Sequence, residues 1–133
     1  MLYEEYASEY RAAVESLDLP LPEGASLPEN PPAEPESGTQ YERGAGEVQA
    51  YMFWLAIVEL AAVEAHHLGD VEEAQHWVEV AAKFVETDVF NDHNDHEYDA
   101  SVGTSWFESV ITPARAGDLT AMEAEISAGM ETV

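Results

Sequence analysis

Six of the chain's seven prolines fall between Pro20 and Pro35, in the run PLPEGASLPENPPAEP. Proline fixes its own φ, lacks an amide hydrogen and clashes with a preceding helical turn, so this density forbids a helix or a central strand and favours extended backbone. What lies on either side must form separately. Before the run, Tyr3, Tyr6, Ala7, Tyr10, Ala13, Val14 and Leu17 recur at helical spacing, with glutamates and Arg11 opposite, which predicts an amphipathic helix over 2–17. The expected organisation is an N-terminal helix (1–18), a Pro/Glu-rich arm or linker (19–46) and a helical core domain (47–133).

Beyond the run, Gly44 to Leu68 reads as one long helix. Ile57, Ala50, Ala61, Trp54, Ala65, Val58, Tyr51, Ala62 and Leu55 fill one arc of its wheel, and Met52, Val63, Leu60 and Phe53 add apolar residues to the other side. A helix apolar nearly all round is buried on both sides, either at the centre of a bundle or half in a core and half against another subunit. Glu59 falls between Met52, Leu55, Ala62 and Val63, the least comfortable position in the chain. After Gly69, Asp70 with Glu73 makes a capping-box pattern, and a third helix carries Val71, Ala74, Trp77, Val78, Ala81, Phe84 and Val85 on one stripe. A join of three residues predicts an antiparallel hairpin over 47–87.

Residues 87–103 are polar, acidic and turn-rich and read as a loop. Ser105 and Glu108 open a short helix that should end before Pro113, and Asp118 caps a last helix stopped by Gly129. β-Branched residues nowhere alternate with polar ones for a full strand. The fold class expected is all-α, with four to five helices around the hairpin and an extended segment after the first helix.

The charge balance then restricts partners. Against 28 Asp and Glu stand only Lys83, Arg11, Arg43 and Arg115, a net charge of −24, and the acids are spread along the whole chain. Such a surface repels phosphate, so direct contact with nucleic acid or an anionic membrane is not expected. The apolar stretch Ala50–Val63 contains Glu59 and is shorter than the about 20 residues that span a bilayer. The opening MLYEEYASEY is acidic where a secretory signal is basic and then apolar, so no cleavable signal is expected. A cytoplasmic or virion location follows. Without cysteine there is no disulfide, thiolate metal site or thiol nucleophile.

Chemistry-bearing patterns are few. Asp92, His93, Asp95 and His96, in the 92–99 segment, combine imidazole and carboxylate, but their spacing fits no established metal motif, so a solvated acidic loop is the expectation. Glu64 with His67 and Glu73 with His76 have the spacing of di-iron ligand pairs. They lie at the hairpin end instead of mid-helix, where histidines suit a helix C-terminus. No G-x-S-x-G elbow or phosphate-cradling glycine loop is present, and neither an enzymatic activity nor a cofactor is expected.

Two resemblances add to this. Gly69 and Asp70 followed by Glu72, Glu73 and Ala74, with Ala74 and Ala81 seven apart around Val78, make residues 54–86 similar to a single tetratricopeptide-type helical hairpin. The acidity resembles that of cytoplasmic proteins of salt-accumulating haloarchaea and their viruses, and implies a protein stabilised by screening in molar salt. The expected function is a structural or adaptor subunit of a homo-oligomer or larger protein assembly, such as a halophilic virion. Tyr3, Tyr6, Tyr10, Leu21, Leu27, Phe53 and Glu59 are its expected contact residues, with the proline-rich arm lying on a neighbour. The rival readings are an acidic DNA mimic that inhibits a nucleic-acid-binding protein, and a small metal-binding protein using 92–99.

Overall fold

Helix α1 (Tyr3–Ser16) forms where the tyrosine and alanine periodicity placed it and ends as the backbone turns extended at Leu17. It opens a computed structural model that describes residues 1–93 and 106–131. The protein is all-α, with no strand among the described residues. The long helix α2 (Ala45–His67), α3 (Val71–Ala82), a 3₁₀ turn at Lys83–Glu86 and the short α4 (Asp88–His93) follow. A π-helical turn (Phe107–Ile111), α5 (Thr112–Arg115) and α6 (Thr120–Glu131) complete the order. Two compact units, 1–54 and 55–133, divide the chain, and their boundary falls inside α2. The helix at 1–18 and the segment at 19–46 thus belong to one unit with the first ten residues of α2, a different partition from the three-part organisation expected.

In the first unit the proline-rich segment takes no regular structure, as its composition dictates, and it is held by its own chain. Tyr10 Oη donates to the carbonyl of Pro28, Tyr3 Oη to that of Pro31 (3.2 Å), and Trp54 Nε1 to that of Pro20 (2.8 Å). Arg11 donates twice to Asn30 Oδ1, at 3.0 and 3.1 Å. Leu27 packs with Val14 and Phe53 against the buried cluster Tyr10, Ala13 and Ala50. A segment with few apolar side chains is ordered because its free carbonyls meet phenol and indole donors.

The start of α2 is closed from a distance. Glu9 on α1 accepts from the amides of Gly44 (3.0 Å), Gly46 (2.7 Å) and Glu47 (3.4 Å), meeting donors that a helix N-terminus leaves unpaired. That contact needs the two backbones nearly touching, which is why residue 46 is glycine: a Cβ there would lie 2.5 Å from Tyr6 O and 2.6 Å from Tyr10 N.

In the second unit both Gly-Asp pairs do the same work. Gly69 (φ +78°) and Gly117 (φ +96°) take left-handed backbone, with amides bonding back to His66 and Ala114, while Asp70 and Asp118 bond back to Ala65 and Pro113. Each aspartate then serves the next helix, Asp70 by accepting from Glu73 N and Asp118 from Thr120 N. The bonds from Thr120 hold the Asp118 carboxyl below its usual range.

Four local expectations are corrected. Val71 does not join the buried stripe of α3 but stands 69% exposed, whereas Val80 and Ala82 are buried. The 87–103 segment begins with helix, not loop, because Thr87 Oγ1 accepts from Phe90 N, Val89 is buried and Phe90 meets Phe84 edge-on at 5.5 Å. Pro113 does not end its helix. Thr112 N donates to Phe107 O, five residues back, and this widened turn lets the proline ring enter as the second residue of α5. Gly129 does not stop α6, which runs to Glu131.

At 23 residues α2 is, by length and composition, the described helix able to cross a membrane, because it extends past Ala50–Val63 at both ends. Here it buries Ala50, Trp54, Leu55, Val58, Ala62, Val63 and Ala65 within the protein.

Gly46→Ala tests the α1–α2 approach. The new methyl meets backbone atoms that have nowhere to go, so thermal unfolding should show a loss of about 1–3 kcal/mol.

Candidate functional site

The residue that fits its surroundings least is also the most deeply placed charge-bearing group. Glu59 is 2% exposed, and the side chain that meets it is another acid, Glu125 of α6. Trp106 Nε1 donates to Glu125 Oε1 at 2.8 Å and fixes that carboxyl, while Glu59 Oε1 and Glu125 Oε2 are buried without a hydrogen-bond partner. Burial first, then the hydrogen bond with Glu125 and its charge, push the Glu59 carboxyl up to about 10 from an ordinary value of 4.5. At neutral pH Glu59 therefore carries a proton and meets Glu125 as the neutral acid. With Glu59 buried and Glu125 half-buried, this arrangement holds a proton in place.

The sequence pattern marked Glu59 as anomalous and missed Glu125. The signal was there: Leu119 and Met122, both buried, continue at the same spacing of three to Glu125. What no spacing could show is that two anomalies, 66 positions apart, meet each other.

The other predicted contact residues sit differently from the expectation. Tyr6 and Tyr10 are buried within the first unit, Tyr6 stacked on Tyr41 (4.1 Å between centroids, 5° between planes) and Tyr10 edge-on to Phe53 at 5.9 Å. Burial raises both phenols, Tyr6 with added repulsion from Tyr41, Tyr3 and Tyr10. Tyr3, Leu21, Leu27 and Phe53 are half-buried. The tyrosine face and the arm thus pack on one another inside a single chain and Glu59 lies in the interior, while Tyr3, Leu21, Leu27 and Phe53 keep part of their surface exposed. Beside them, Glu9, Ala12, Ala13, Ser16, Glu47 and Tyr51 line a cleft of about 260 Å³.

The metal readings find no assembled site. Among the described residues no three of His, Asp and Glu converge. His67 pairs with Glu123, Glu73 accepts from Trp77 Nε1 (2.7 Å), and His76 lies edge-on to the Trp77 ring at 4.7 Å, so the two Glu-x-x-His pairs are engaged separately. Asp92 and His93 belong to α4, whereas Asp95 and His96 lie outside the described residues. No family model, curated protein or solved structure matches the chain.

Glu59→Gln should be more stable than the wild type at neutral and alkaline pH. A carboxyl raised on folding gives its full stability below 4.5 and loses it as pH climbs toward about 10, by up to about 1.4 kcal/mol per unit. Denaturant titrations should show the two proteins converging near pH 4 and separating steadily above it.

Proposed function

We propose that this protein is a non-enzymatic structural or adaptor subunit of a multi-subunit assembly working in molar salt, a halophilic virus particle being the proposed setting. The observation that carries the reading is the corner between α2 and α3. Leu68 is 85% exposed and Val71 69%, flanking the turn at Gly69 and Asp70, so two large aliphatic side chains project from an otherwise acidic chain. At low salt the charge of −24 keeps copies apart; screening removes that barrier and leaves apolar contact to act.

Internal ion pairing supports the salt requirement. Among the described residues Arg115 pairs with Glu79 (2.8 Å), His67 meets Glu123, and Arg11 is directed to Asn30 instead of an acid. Most carboxylates therefore repel one another without an internal counter-charge. The apolar corner favours assembly over DNA mimicry, which needs rows of carboxylates and no aliphatic contact.

Two measurements check this. Melting temperature should rise steadily from low salt to molar KCl, as the Debye length shortens from about 10 Å at 0.1 M to about 3 Å at 1 M; a flat profile removes the salt argument. Light scattering in molar KCl should give a mass above that of the 14.6 kDa chain, reduced by Leu68→Ser with Val71→Ser. A monomer at every salt concentration that competes with DNA for a basic protein would establish the mimic instead.

A further inference from the structure

Two carboxyl groups in contact inside a protein need one positive charge between them. Glu125 is the titratable group that acts on Glu59. The other charged groups nearby in the chain are engaged or exposed: Glu123 pairs with His67, Arg115 is held by Glu79 and lies over the Phe107 ring, and Glu64, His66 and Glu108 are exposed. Among the described residues no lysine or arginine acts on the pair, and a proton does that work.

We propose that the Glu59–Glu125 pair is a one-proton latch, fastening α6 and the Trp106 turn to α2, whose loss of the proton releases α6 while the α2 and α3 helices stay folded. In the closed state the protonated Glu59 carboxyl faces Glu125, whose Oε1 is fixed by Trp106 Nε1. Base removes that single proton, which passes to hydroxide as water. Two carboxylates are then left facing one another in apolar surroundings, with Glu59 Oε1 and Glu125 Oε2 still lacking any donor. One side must move into water.

The packing decides which. In this unit α2 is anchored by Leu55, Val58, Ala62, Val63 and Ala65, all buried, so withdrawing Glu59 would expose an entire face. Within the described side chains of α6 only Met122 is fully buried, and the rest are half-buried or exposed. Swinging α6 outward carries Glu125 to solvent at the smaller loss of apolar contact, and local opening follows the least-anchored element. The π-helical turn before α5 gives Trp106 a segment that already departs from regular helix.

Methyl NMR on the full chain in molar KCl tests this. Met122 reports on α6, Ala62 on α2, and Ala74 and Ala81 on α3; carbon-labelled glutamate follows the two carboxyls directly. As pH rises from 7 to 11, the Met122 methyl should move to its exposed position, the released fraction growing about tenfold per pH unit, while the three alanines keep their buried shifts. Glu59→Gln and, independently, Glu125→Gln should abolish that step. The latch is overturned if all four methyls are lost together, if Met122 stays buried to pH 11, or if the step survives in both variants. It is also overturned if millimolar calcium chloride added to the molar KCl moves the step in the wild type, because the pair would then hold a metal cation.

Discussion

With four Lys and Arg against 28 Asp and Glu, a carboxylate that leaves bulk water in this chain has almost no ammonium or guanidinium to meet. The structure answers with other donors. Glu9 takes backbone amides at the start of α2, and Asp70 and Asp118 take the amides of Glu73 and Thr120. Glu73 and Glu125 take indole N–H groups from Trp77 and Trp106, and Glu123 an imidazole. Glu79 alone among them receives an arginine fork. Glu59, with none of these within reach, keeps its proton. The substitutes also carry geometry: an indole or an amide donates along a fixed direction, so each contact positions the helix that bears it.

The same logic orders the proline-rich segment. A polyproline-like chain has carbonyls with no internal partner and few amides of its own. Phenols of Tyr3 and Tyr10 and the Trp54 indole supply donors to Pro31, Pro28 and Pro20, and the rings bring apolar surface with them. An aromatic donor thus serves both needs of a segment that could not fold by hydrophobicity alone. Residues 1–36 thus cover Ala50 and Trp54 and supply the Glu9 cap of α2.

Functionally, the interior and the surface carry opposite messages. Inside, Glu59 keeps its proton, and the half-buried Glu9 and Glu125 take directional N–H donors. Outside, the excess charge is left to the solvent, and Leu68 and Val71 stand exposed, as to a lesser degree do Leu2 and Met52. Glu59 lies too deep to take part in surface contact, and we propose that the pair acts through the attachment of α6.

Local rules were enough to read much of the fold. Helical spacing located α1 to α3, glycine and aspartate marked the two places where one helix ends and the next begins, and proline density ruled regular structure out of 20–35, because each of these depends on neighbours within a turn or two. They failed where a contact crosses the sequence. Glu9 capping a helix 35 positions on, Gly46 admitting the α1 backbone, Thr87 starting a helix inside a polar run, and a widened turn absorbing Pro113 all depend on what packs nearby. The candidate site divides along the same line. That Glu59 lies on an apolar helix was plain from its neighbours. That its partner is a second carboxyl, with an indole behind it and no cation near, was decided only by the tertiary packing, since burial and proton affinity are properties of the assembled surroundings.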